Sequence, residues 1–182
     1  MSQSSPTVFT IGHSTRSLEE LVELLRAHGV ERLVDVRTVP RSRHNPQFNH
    51  LALSKALHNR HFSYRHLKAL GGLRHAHRDS TNTGWRNASF RGYADYMQTA
   101  SFSAGVEKLI ELATEKPTVI MCAEAVPWRC HRSMIADALV VRGIPVRHIL
   151  TAGTARPHTL TPFAQVRGTE VTYPPPVDEQ TA

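Results

Sequence analysis

The chain has 182 residues, enough for one domain with a sizeable core. Its composition, 40% apolar and 20% charged, is that of a soluble globular protein, and no run of 18 apolar residues is present to span a membrane. The formal charge of +7 is unevenly spread, because residues 26–91 hold 13 of the 22 Lys and Arg against three acids, Glu31, Asp35 and Asp79.

The N-terminal "MSQSSPTVFTIGHS" has neither a basic start nor a long apolar stretch and does not read as a secretory signal. "TVFTIG" (7–12) reads as a buried strand. Ser17 and Glu20 then form a capping box, and Leu18, Leu21, Val22 and Leu25 repeat at helical spacing until Gly29. "RLVDVR" (32–37) predicts a second strand, followed by the basic loop "TVPRSRHNPQFNH". A short helix is expected over 51–60, and "FSYRHL" (62–67) alternates as a third strand. From Gly71 to Arg91 no period is visible, and long aperiodic loops inside domains are functional or disordered. Helical spacing resumes over 102–113. "TVIMCA" (118–123) reads as a buried strand, 131–142 as a helix and "PVRHIL" (145–150) as a last strand. After Thr151 the chain turns polar and proline-rich, which predicts an irregular or disordered tail over 151–182. Strands alternating with helices predict one Rossmann-like, three-layer α/β domain over 1–150 with a mostly parallel sheet.

In such a domain ligands bind beyond the carboxyl ends of the strands. Three predicted strand ends carry reactive residues. The first gives His13 and Ser14, and the second gives Asp35 and Arg37. The late strand gives Cys122 and Glu124, with Arg129, Cys130, His131 and Arg132 opening the next helix. Tyr64, on the third strand, can reach the same rim. A helix start offers free N–H groups and a positive dipole end, Arg132 offers a bidentate fork, and a thiol placed there ionises easily. On this reading Asp35, Glu124 or His131 handles protons, Cys122 or Cys130 is a nucleophile or redox thiol, and His13, Ser14, Arg37, Tyr64, Arg129 and Arg132 bind an anionic substrate. Each residue also has a plainer reading: Cys122 as core, Asp35 and Arg37 as a structural ion pair, His131 as a first-turn surface residue.

Cys122, Cys130, His131 and His13 are suitable zinc ligands, but C-x7-C-H is not a zinc-finger spacing. Adjacent residues in a helix also diverge by about 100°. No metal is therefore assigned. Two cysteines do not make a disulfide framework and read as reduced thiols of a cytoplasmic chain. The segments "LVDVR" and "CAEAVPWRCHRSMIADALVVRG" also resemble the rhodanese pattern. A tyrosine-phosphatase loop, the other reading for a Cys at a strand end, places Arg six residues after the Cys; that position is Trp128 here, with Arg129 one later, and Glu124 inside the loop would repel an oxyanion.

"TIGHSTRS", "DVRTVPRS", "FSYRHLKALGG", "FRGYADYM" and "MCAEAVPWRCHR", in this order over residues 10–132, resemble the family of domain of unknown function (DUF) 488. The resemblance implies an α/β domain and no settled reaction. The family's recurring residues correspond here to Gly12, His13, Ser14, Asp35, Arg37, Pro40, Ser42, Tyr64, Leu70, Gly71, Gly72, Tyr93, Cys122, Glu124, Cys130, His131 and Arg132. Lys68 stands where the family often has proline.

Two classes of function remain at this point. One is an enzyme, a hydrolase or transferase, acting on a phosphorylated, nucleotide-like or nucleic-acid substrate, with a rhodanese-like sulfurtransferase using Cys122 as a variant. The other is a nucleic-acid-binding module in which Trp85, Phe90 and Tyr93, interleaved with Arg74, Arg78, Arg86 and Arg91, stack on bases. Cofactor, substrate and oligomeric state are undefined by the sequence.

Overall fold

The computed structural model describes residues 5–177; the first four residues of the expected non-signal N-terminus and the last five of the expected tail lie outside the described residues. Five strands run parallel: β1 (Val8–Gly12), β2 (Arg32–Asp35), β3 (Ser63–His66), β4 (Thr118–Cys122) and β5 (Val146–Thr151). A sixth, β6 (Thr154–Pro157), adds antiparallel to β5 and gives the order β3-β2-β4-β1-β5-β6. The helices are α1 (Leu18–Ala27), α2 (His50–His58), α3 (Ala88–Tyr96), α4 (Ala100–Glu115) and α5 (Arg132–Val140).

Alternation along the strands divides the core into two layers. Ile11, Leu33, Val119 and Met121 pack with α1 and α2, together with Phe48. Val8, Val34, Ile120 and Cys122 face the other way, onto α3, α4 and α5. This is the three-layer, Rossmann-like α/β fold expected. The connection leaving β1 passes to one face and the one leaving β4 to the other. These strands are neighbours, so a crevice opens beyond their carboxyl ends.

Local chemistry explains the boundaries. Ser17 and Glu20 form the reciprocal capping box on α1, and Gly29 takes the positive φ that ends it. α3 has no counterpart in the sequence reading. Its buried face is Gly92, Tyr93, Ala94 and Asp95, and a face half glycine and carboxylate shows no apolar period. Asp95 accepts from the His77 backbone N–H, the Ser80 hydroxyl and the Asn82 amide, while Asn82 accepts from the Tyr173 N–H. The aperiodic stretch 71–91 is thus a loop pinned to α3 by buried polar groups.

The segment after Thr151 is not wholly irregular. Besides β6 it forms a hairpin of β7 (Gln165–Arg167) and β8 (Glu170–Thr172), and it inserts Val171 and Tyr173 into the core. The sheet edge at β5 offers unpaired backbone groups that outweigh the polar, proline-rich composition of residues 154–157. Among the described residues, no helix is long and apolar enough to cross a membrane.

Candidate functional site: a thiol pair at the strand-end rim

β4 ends at Cys122, level with Gly12 of β1. The chain then turns tightly over β1: the His13 and Ser14 N–H groups donate to the carbonyls of Cys122 and Ala123. A β-carbon on Gly12 would overlap the Glu124 carbonyl, so this approach requires glycine. A single 3-10 turn over Pro127–Arg129 returns the chain to Cys130, whose extended backbone precedes α5. The result is a Cys122 Sγ to Cys130 Sγ separation of 2.7 Å.

Three polar groups surround these sulfurs. Arg132 is almost wholly buried, at 1% exposure, and its Nε donates to Cys122 Sγ at 2.9 Å. The rest of its guanidinium donates to the Thr10 hydroxyl (3.1 Å) and to the Glu124 and Ala125 carbonyls. Among the described residues no carboxylate pairs with it. The Arg132 backbone N–H, at the start of α5, points to Cys130 Sγ at 3.5 Å. His131 Nε2 lies 2.8 Å from the Val36 carbonyl and must donate to it, which leaves Nδ1 facing Cys130 Sγ at 3.5 Å. Gly72 and Tyr93 hold this imidazole in place: a β-carbon on Gly72 would strike the ring, and the Tyr93 ring centre lies 5.1 Å away.

A buried cation without a carboxylate favours one negative charge on the thiol pair. Burial opposes ionisation of Cys130. The hydrogen bonds from Cys122 and His131, with the charges of His131 and Arg132, outweigh burial and hold its thiol well below the usual range. Burial pushes the Cys122 thiol well up, and its hydrogen bond and proximity to Cys130 add to the rise. Of the two sulfurs, Cys130 is therefore the more readily ionised.

Both thiols floor a cavity of about 350 Å³ beyond the strand ends. Its walls carry Thr38, Val39, Arg41, Ser89, Phe90, Glu124 and Arg129. Arg41, Arg129 and Glu124 are exposed side chains at its mouth. Arg37 also reaches the wall but is fully engaged: it forks onto Asp35 (2.9 and 2.6 Å) and donates to the Phe48 carbonyl (2.7 Å). Asp35, wholly buried, also accepts the Tyr64 hydroxyl at 2.6 Å, and burial followed by the Asp35 charge raises the Tyr64 pKa. His13 stacks on Phe48, binds the Ser14 carbonyl through Nδ1 and accepts from Arg37 at 3.4 Å. Burial is the first cause lowering its pKa.

The structure therefore divides the expected residues into two groups. Cys122, Glu124, Arg129, Cys130 and His131 gather at the cavity, with Arg132 beneath the sulfurs. Asp35, Arg37, Tyr64 and His13 form a closed polar cluster beside it, and Ser14, at positive φ, shapes the turn. Arg132 presents no free fork to a ligand, contrary to the sequence expectation, because every arm is bound inside. Tyr93 is wholly buried, and Trp85 packs on Phe90, Phe163 and Tyr173, so neither stands free to stack on bases. Among the described residues no group of three or more His, Cys, Asp or Glu side chains is placed to hold a metal.

One set of residues was not singled out from the sequence. Thr10 Oγ1, bound by Arg132, lies 2.6 Å from His148 Nδ1; His148 Nε2 lies 2.9 Å from His158 Nδ1; His158 Nε2 lies 2.7 Å from Asp137 Oδ1. Asp137 also accepts from Thr161 and from the Tyr173 hydroxyl. Donors can run in one direction from Arg132 to Asp137 and satisfy every ring nitrogen. The signal was present: Asp137 is the one charge inside the apolar run "MIADALVV", and His148 sits at an inward position of β5. A second cavity of about 350 Å³ borders His148, His158, Trp85 and Phe163. Its imidazoles are occupied by the chain of hydrogen bonds, whereas the thiols open onto the first cavity.

These features define the class: a Rossmann-like α/β protein with a close pair of cysteines at its strand-end crevice. The family model for domain of unknown function DUF488 matches residues 17–139, and the chain belongs to that family. No curated protein and no solved structure matches it.

Proposed function

We propose that the chain is a thiol-dependent enzyme, a transferase or hydrolase, acting on a small phosphorylated or nucleotide-like substrate in the rim cavity. The observation that carries this reading is the Cys130 sulfur held between a helix start, an imidazole and the Cys122 sulfur, which itself accepts from the buried Arg132 guanidinium, beside an open cavity. Such a sulfur is a poised nucleophile, and His131 Nδ1 is oriented to take and return its proton. The free guanidiniums of Arg41 and Arg129 supply charge for a phosphate, and Phe90 supplies a face for a base or ring. Asp35, Tyr64 and His13 position the rim from outside the cavity, and Arg37, held by Asp35, forms part of its wall.

The test is calorimetric titration with nucleoside mono- and diphosphates. Arg129→Gln should weaken binding about tenfold, whereas Cys130→Ser should leave binding and abolish turnover. No binding by any phosphorylated compound would remove this substrate class.

A rhodanese-type transfer is a second reading, favoured by the Arg132 Nε hydrogen bond on Cys122 Sγ. It predicts a mass gain of one sulfur after incubation with thiosulfate. A nucleic-acid module retains only the basic charge of residues 26–91 in its support. Binding of a single-stranded oligonucleotide that falls steeply with salt would revive it.

A further inference from the structure

We infer that Cys122 and Cys130 are a dithiol–disulfide redox centre that exchanges with small anionic disulfides entering the rim cavity. The inference rests on the Cys130 thiolate of the reading above but not on its substrate class.

Four observations converge. The sulfurs are 2.7 Å apart, and a disulfide bond is roughly 2.05 Å long, so closure needs less than about 1 Å of movement. The pair is asymmetric: Cys130 is next to the His131 imidazole and the α5 start, while Cys122 ends a buried strand. That is the division between an attacking and a resolving thiol. Cys122 and Cys130, 3% and 5% exposed, line an open cavity, so a small disulfide reaches them through that cavity alone. The mouth carries Arg41 and Arg129 against one acid, Glu124, and this net positive charge favours carboxylate-bearing disulfides over uncharged ones.

The steps balance without a further reactant. The Cys130 thiolate attacks one sulfur of the disulfide RSSR, forming a mixed disulfide and releasing RS⁻. Cys122, held by Arg132 Nε, then attacks Cys130 Sγ, forming the intramolecular bond. Its proton leaves with the second thiol as RSH. The protein is oxidised by two electrons and RSSR is reduced to two thiols. In the oxidised state no Cys130 thiolate exists, so thiol chemistry in the cavity is switched off until a thiol reverses the exchange.

The experiment uses the full-length reduced protein and oxidised glutathione in excess, quenched with acid, alkylated and mapped by mass spectrometry. The expected product has lost two hydrogens, carries no glutathione, resists alkylation at both cysteines and yields a Cys122–Cys130 cross-linked peptide. Cys122→Ser should accumulate one glutathione on Cys130, and Cys130→Ser should react at least about tenfold more slowly. Hydroxyethyl disulfide serves as the uncharged probe. The ratio of glutathione-disulfide rate to hydroxyethyl-disulfide rate should fall severalfold in the Arg41→Gln, Arg129→Gln double variant. A wild-type protein that stays fully alkylatable, or that retains glutathione without forming the cross-link, overturns the inference whether or not the variants fold. Either result with nucleotide binding intact sinks the redox centre alone.

Discussion

Arg132 is a buried cation whose partners are a sulfur, a hydroxyl and two carbonyl oxygens. In low dielectric such a charge is tolerated only when something nearby is negative, and the thiol pair is the group that can ionise. Arg132→Met should therefore move the pH midpoint for Cys130 alkylation up towards that of an ordinary thiol. It should also cost on the order of 2–3 kcal/mol in urea unfolding, because the carbonyls and Thr10 lose a charged donor. An unchanged midpoint would show that Arg132 does not hold the thiolate. Gly12 makes the second residue-scale claim. Gly12→Ala places a methyl group inside the Glu124 carbonyl, and the expected loss of stability is about 1–3 kcal/mol by overpacking. The variant should also alkylate faster, since the turn that packs the two thiols is displaced.

At the scale of elements, α5, β1, β5 and the residue that follows β6 are tied by one hydrogen-bonded chain from Arg132 through Thr10, His148 and His158 to Asp137. Burial first, then the charges of His158 and Arg132, push His148 down to about 4, against an opposing pull from Asp137. Between that value and an ordinary imidazole pKa of about 6.5, the unfolded chain binds a proton at this site and the folded chain does not. His148 thus contributes no pH penalty above about pH 6.5, and stability is lost as pH falls through that window. Urea midpoints measured at about pH 7 and about pH 5 should differ less in His148→Gln than in the wild type. An equal drop in both would place the acid sensitivity elsewhere. The elements with clean periods were legible in the sequence: α1 through its capping box, β4 through its apolar run, β1 and β2 through theirs. α3 was not, because its inward face is Gly92 and Asp95. The thiol site was legible as a cluster of residue types around one strand-to-helix turn. The Asp35–Arg37 ion pair was legible as the plainer reading of two near neighbours, whereas the full occupation of Arg132 was not, since one of its partners is Thr10 on β1.

At the scale of the whole molecule, β6, β7, β8 and the strand-like return to Tyr173 complete the domain. Composition alone pointed to an irregular strap, because proline and polar residues hide an edge strand whose partner is already in the sheet. Val171 and Tyr173 are buried, and each such side chain stabilises by about 1.5–3 kcal/mol. A chain ending at Thr151 should therefore lose roughly 3–6 kcal/mol from these two alone and fail to give a cooperative unfolding transition. A truncated chain unfolding cooperatively at the wild-type midpoint would show the segment to be dispensable.

The central claim is a single ionised thiol, on Cys130, at the floor of the rim cavity. Its most direct test is the rate of iodoacetamide alkylation of the reduced protein against pH, with each cysteine resolved by peptide mapping. The account predicts that Cys130 reacts first and that its rate reaches a plateau well below the ordinary thiol range of about 8.5, while Cys122 lags behind. A Cys130 rate that keeps rising through that range, or equal rates at the two cysteines, would contradict it.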